Sequence, residues 1–172
     1  MRMELIEVGQ IVNTHGVRGE MKLHPVGGFT PEFIARFKTL YIDGLPIETV
    51  SRRVHDTVVL VTFPHVTDMD GALRYKGKFV SIRRGDAKLK KGEYFDAELI
   101  GTRVLRYPLR QEVGILTEVL TYPAHKLYQV ENEKTGKKYL IPAVPDIFIV
   151  DTDIDEGTML VRMMEGLAVD ED

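Results

Sequence analysis

The feature that most constrains this chain is a hydrophobic period of two, repeated in short runs from one end to the other. In the first half the runs are Leu5–Val12, Gly19–Pro25, Thr39–Ile42, Ile47–Val54, Val58–Phe63 and Lys78–Ile82. They are rich in Val, Ile and Thr, and Gly, Pro, Asp and His punctuate them, which is the habit of β-strands. Two helical interruptions stand out. Thr30-Pro31-Glu32 has the form of an N-cap followed by proline at the first helical position, opening a short helix to Phe37. Thr67-Asp68, followed by Ala72, Leu73 and Tyr75, opens a second that Gly77 stops. Six strands in so short a stretch predict a small closed barrel, because closure removes exposed edges.

Residues 86–92 (Asp-Ala-Lys-Leu-Lys-Lys-Gly) are polar and break the alternation. They are expected to link a first domain over 1–85 to a second over 93–172. The second half repeats the β habit in Leu99–Leu105, Val113–Tyr122, Lys126–Asn132, Lys138–Ile141, Phe148–Asp153 and Thr158–Met163. Lys134-Thr135-Gly136 and Asp155-Glu156-Gly157 supply turns. No internal repeat is visible, and the acidic tail Asp170-Glu171-Asp172 is expected to fray. The expectation is an all-β chain of two small barrels.

Charge separates the halves. Residues 1–90 carry 14 Lys and Arg against 10 Asp and Glu, a balance of +4, while residues 91–172 carry 9 against 16, a balance of −7. An acidic second half argues against a uniformly basic nucleic-acid binder. It leaves room for one half to meet RNA and the other a basic protein, or for two ordinary solvated surfaces. The 172 residues contain no cysteine, which removes disulfides and thiolate chemistry and fits a reducing cytoplasm. Met1-Arg2-Met3-Glu4 leads straight into patterned sequence without an apolar leader, and the longest apolar run, Val58 to Val61, is too short for a bilayer. A soluble, cytoplasmic chain with no membrane partner is expected.

Each constellation that could carry catalysis fails on spacing or context. His15-Gly16-Val17-Arg18-Gly19-Glu20 could be a phosphate cradle, with His15 as acid or base and Arg18 as anion clamp. Its spacing matches neither the P-loop nor the dinucleotide fingerprint, and strand-like Met21-Lys22-Leu23 follows where a helix would be needed. A tight turn between strands explains both glycines, and it can still present His15 and Arg18 to a partner. Asp151-Thr152-Asp153-Ile154-Asp155 suggests a calcium loop, but glycine and the bidentate glutamate would fall on Glu156 and Arg162. Alternating carboxylates on a solvent-facing strand end explain it better. His15, His24, His55, His65 and His125 have no metal-ligand spacing, and Ser51 and Ser81 lie in strand-like segments without a nucleophile elbow. No cofactor, metal or catalytic residue is nominated.

Two segments look like binding surfaces. Tyr94 and Phe95, within Gly92-Glu93-Tyr94-Phe95, face opposite sides of an extended chain, so one can enter the core while the other stays available. Leu140-Ile141-Pro142-Ala143-Val144-Pro145 ends a strand at Ile141 and leaves an apolar corner. Arg52-Arg53 and Arg83-Arg84 are basic pairs that serve equally as solvated strand ends or modest phosphate contacts.

In order along the chain, these pieces resemble the RimM family of ribosome maturation factors. The resemblance runs through Val8-Gly9-Gln10-Ile11-Val12, His15–Glu20, Gly77-Lys78, Gly92-Glu93-Tyr94-Phe95, Leu99-Ile100-Gly101, Leu140-Ile141-Pro142-Ala143-Val144 and Glu165-Gly166-Leu167. It implies an N-terminal barrel like those of translation factors, a C-terminal PRC-type barrel, and no catalysis. It also implies association with the free small ribosomal subunit, contact with a ribosomal protein of the subunit head, and promotion of ribosomal RNA processing as an assembly chaperone. The family's adjacent aromatics map onto Tyr94 and Phe95. Phe95 stands where the family usually has Tyr, and Glu98 where it usually has Asp. Partner-binding roles are therefore expected at Tyr94, Phe95, His15 and Arg18, in a monomer. Two alternatives from other classes are an enzyme using the glycine turn to hold phosphate, and a stand-alone PRC-type regulatory module.

Overall fold

The computed structural model describes residues 3–169; the tail Asp170–Asp172, expected to fray, lies outside them. The chain divides into two compact units, one over Met3–Leu89 and the other from Lys90 onward.

In the first unit β1 (Leu5–His15) runs antiparallel to β2 (Glu20–Pro25) and to β7 (Phe79–Arg83). The remaining strands are β3 (Thr39–Ile42), β4 (Leu45–Glu48), β5 (Ser51–His55) and β6 (Val58–Thr62), giving the order β4-β3-β7-β1-β2-β6-β5. Alternation sets the faces: Leu40 and Ile42 of β3, and Val80 and Ile82 of β7, are buried while their neighbours are not. In β6 the run Val59-Leu60-Val61 is fully buried, because both faces of that strand are covered. Burial of each such aliphatic side chain stabilises the unit by roughly 1.5–3 kcal/mol.

The segment Ile47–Val54, expected as one strand, is two. β4 and β5 lie at opposite ends of the sheet order, and only Thr49-Val50 separates them. There the chain changes partner. The Thr49 N–H donates to the Lys38 carbonyl at 2.8 Å, and the Val50 N–H donates to the Thr62 carbonyl at 2.8 Å. The two edges are thus joined through the chain itself, which closes the barrel. The Thr49 hydroxyl is buried and donates to the Lys38 carbonyl at 2.7 Å. Arg52 fixes the corner, donating to Thr49 Oγ1 at 2.6 Å and to the Ala35 carbonyl at 3.0 Å. The barrel thus has seven strands by count rather than six.

Both expected helices form. The Thr30 hydroxyl accepts from the Phe33 N–H at the start of α1 (Pro31–Ile34), and Asp68 accepts from the Gly71 N–H at the start of α2 (Met69–Leu73). A 3₁₀ turn follows β7 over Arg84–Ala87.

The second unit opens on α3 (Asp96–Leu99), a helix within a chain segment where a strand from Leu99 was expected. The Glu98 carboxylate accepts the Phe95 N–H at 3.2 Å, which caps the helix, and Gly101 at φ +91° turns the chain out of it. Extended structure begins only at β8 (Arg103–Arg106). The strands β9 (Gln111–Thr121), β10 (Lys126–Glu131), β11 (Lys138–Pro142), β12 (Ile149–Asp153), β13 (Thr158–Val161) and β14 (Ala168–Val169) follow, in the order β12-β13-β8-β9-β10-β11-β14. β14 was not legible as a strand. Pro145, just past β11, forms a parallel bridge to Ile149 at the head of β12. Leu116, Val130, Ile141, Met159 and Val161 fill the core.

Candidate partner-binding surfaces

The glycine motif is a turn between strands. β1 ends at His15, β2 begins at Glu20, and these two residues are paired across the ladder. Gly16 and Gly19 adopt φ of +71° and +96°, which side chains resist. Gly19 has a second constraint, since a Cβ there would meet the Val66 carbonyl oxygen at 2.5 Å. The turn is therefore clamped at its base, while Val17 (70% exposed) and Arg18 stand out at its tip. Among the described residues Arg18 has no hydrogen-bonding partner.

The face beneath the turn holds a cluster that sequence reasoning did not assemble. Arg53 on β5 makes a two-pronged contact with Glu20, at 2.9 and 3.1 Å. His15 Nε2 lies 3.9 Å from the same carboxylate, and the rings of His15 and His55 are 5.5 Å apart. The Arg53 hydrogen bond, together with the positive potential of Arg53, His15 and His55, holds the Glu20 carboxyl below the ordinary glutamate range against a smaller opposing effect of burial. Each residue was visible singly, but the pairing joins positions 33 apart in sequence and needs the strand register.

Tyr94 and Phe95 divide as alternation suggests. Phe95 is 7% exposed. Tyr94 is half-buried, packs against the core of the second unit and donates its hydroxyl to the Thr152 carbonyl at 3.3 Å. Beside this segment Lys126 binds Asp96 at 2.8 Å, and burial, with a smaller contribution from Asp96, raises the Tyr128 phenol above its ordinary range.

The apolar corner forms with β11 reaching Pro142, one residue further than expected. Ile141 is fully buried and Pro142, Ala143 and Val144 are half-buried. Of the basic pairs, Arg52 and Arg53 are held as described above, and Arg83 binds Asp86 at 3.1 Å. Asp151 and Asp153 are exposed on β12, and Asp153 accepts the Glu156 N–H in the turn to β13. With Arg110 and Glu156 they line a polar hollow of about 120 Å³. Among the described residues no group of three His, Asp or Glu is placed to hold a metal. No helix among them is long and apolar enough to cross a membrane.

The fold defines an all-β chain of two barrels, with charged groups displayed on the first and aromatics set into the second. The chain matches the RimM N-terminal domain over residues 6–87 and the RimM PRC barrel domain over residues 96–167. The Ribosome maturation factor RimM of Bacillus cytotoxicus is 33% identical over 167 residues, covering 93% of this chain and 96% of that relative. The one of Symbiobacterium thermophilum is 35% identical over 174 residues, covering 98% and 97%. A solved structure from Pseudomonas aeruginosa, described as a 16S ribosomal RNA processing protein RimM, is 24% identical with a TM-score of 0.45, covering 93% of this chain and 98% of that one. The chain belongs to the RimM family. Its first unit matches the family's N-terminal domain, which sets aside a stand-alone PRC module.

Proposed function

We propose that this protein is a non-catalytic assembly factor of the small ribosomal subunit, acting as a monomer in the cytoplasm and promoting maturation of the subunit head and processing of 16S ribosomal RNA. The observation that carries this reading is the relation to ribosome maturation factors, which runs through both barrels at 33% and 35% identity. The domains 1–85 and 93–172 act as separate modules joined by 86–92. The second barrel, in the acidic half, recognises a basic ribosomal protein of the head. The half-buried Tyr94 meets that partner, and Phe95 fixes the segment from below. The first barrel presents His15 and Arg18 on their clamped turn to the immature subunit, where ribosomal RNA is the nearest anion. Charge complementarity of this kind speeds encounter, and the association weakens with salt.

The test is retrieval of the head protein from lysate by tagged wild type, Tyr94→Ala and the double variant Tyr94→Ala, Phe95→Ala, with folding followed by thermal melting. Both variants are expected to retrieve less of it. A folded variant that retrieves it as well as wild type sinks the assignment of this segment.

A further inference from the structure

The cluster under the glycine turn is more than a surface ion pair. Its members come from three strands: His15 from β1, Glu20 from β2, and Arg53 and His55 from β5. Pairing places Lys22 beside them, since Lys22 is opposite both Asn13 and Leu60, and Leu60 is opposite Arg53. Residues two apart on a strand share a face, so Glu20 and Lys22 point the same way. Arg18 is exposed on the turn that joins His15 to Glu20, His24 follows Lys22 on the same strand face, and Asp56 follows His55 into the next turn. β6 contributes Val58 and Leu60, which carry no charge. Among these residues the carboxylates are Glu20 and Asp56, against the cations of Arg18, Lys22 and Arg53 and the imidazoles of His15, His24 and His55. Arg53 takes both oxygens of Glu20, at 2.9 and 3.1 Å, and leaves His15 at 3.9 Å.

We propose that this face is a site for the phosphodiester backbone of RNA, in which His15, His55 and Arg53 take the phosphate, Glu20 is the counter-ion held in its absence, and affinity rises as the imidazoles protonate. Two imidazoles with ring centres 5.5 Å apart repel each other when both are charged, and Glu20 is already engaged by Arg53 through both oxygens. A phosphate supplies further negative charge, which favours the charged form of the imidazoles beside it. The alternative partner, an acidic protein segment, would meet the same cations. RNA is favoured because the exposed His55 ring also offers a stacking face to unpaired bases, which a carboxylate side chain cannot use. The proposal rests on the reading that the first barrel faces the immature subunit, and adds the chemistry that it recognises there.

The experiment uses the full chain and a fluorescein-labelled oligouridine 12-mer, followed by anisotropy at low salt. Wild type is expected to bind about threefold tighter at pH 6.0 than at pH 7.5. The double variant His15→Gln, His55→Gln is expected to lose that pH response. Glu20→Gln is expected to bind about threefold tighter at pH 7.5, and its salt dependence steepens by about 0.7 in log–log slope if one more phosphate is engaged. A merely structural Glu20 would give the opposite sign. His55→Gln alone, at an exposed position, serves if the double variant melts early. A flat pH profile in wild type, tightening that survives loss of both histidines, weaker binding by Glu20→Gln, or equal competition by an oligoglutamate peptide overturns the site. Co-sedimentation of the same wild type with free small subunits separates the two claims. If it co-sediments but shows no pH response, only this inference falls. If it does not co-sediment, the proposed function falls first.

Discussion

In the first barrel the candidate contact residues stand clear of the core: Val17 is 70% exposed, and the turn that carries it and Arg18 touches the barrel through Gly19. In the second, Phe95 is 7% exposed and the half-buried Tyr94 packs on the core. On the proposed function, the first arrangement separates recognition from stability. A charged side chain on a clamped turn can be changed without loosening anything beneath it. The second merges them, because an aromatic that anchors a helix start is also part of the packing. Losses of binding at Tyr94 and Phe95 therefore have to be read against losses of fold, whereas those at Arg18 do not.

The largest effect should come from two crowded glycines, Gly19 at the base of the turn in the first barrel and Gly114 on β9 of the second. Gly19→Ala places a Cβ 2.5 Å from the Val66 carbonyl oxygen, and Gly114→Ala places one 2.4 Å from the Glu131 carbonyl oxygen. Neither backbone can yield as a side chain could, and each change is expected to cost about 3 kcal/mol or more in urea melts. Phe95→Ala comes next, at about 3 kcal/mol, because a buried ring is lost with little room for collapse. If Phe95→Ala is neutral, the contrast between the barrels breaks. Thr49→Ala removes the hydroxyl that holds the barrel's closing corner and leaves Arg52 short of a partner, so a loss of about 1–2 kcal/mol is expected. Arg18→Ala should lie within about 0.5 kcal/mol of wild type while weakening association with small subunits.

The smallest effect is acid-dependent. The Glu20 carboxyl has a lower pKa in the folded state than in the unfolded state. Its contribution is therefore complete above the unfolded glutamate value and is lost as pH falls through the folded one. The stability gap between wild type and Glu20→Gln should accordingly narrow between neutral pH and pH 3. A gap that widens in acid would contradict the Arg53 pairing as the cause.

Much of the fold was legible because its signals are local. Alternating Val, Ile and Leu marked the strands, and Thr30-Pro31 and Asp68 marked the two helix starts of the first barrel. What escaped is non-local. Asp96-Ala97-Glu98-Leu99 is too short to display a helical period, and what fixes it is a bond from the Phe95 N–H to the Glu98 carboxylate. Ile47–Val54 looks like one strand because its alternation continues, while its hydrogen-bond partner changes at Thr49-Val50. At the candidate site, the turn and its glycines could be read from sequence. The Glu20–Arg53 pair and the meeting of His15 with His55 depend on the register of β1, β2, β6 and β5, which no single segment encodes.

The central claim is that the protein docks on immature small subunits. Sucrose-gradient sedimentation of lysate from cells making the tagged chain tests it most directly. The protein is expected to travel with the free small-subunit peak and to be depleted from mature ribosomes, with the peak association falling when salt is raised. A protein that stays at the top of the gradient, or that follows mature ribosomes instead, would contradict it.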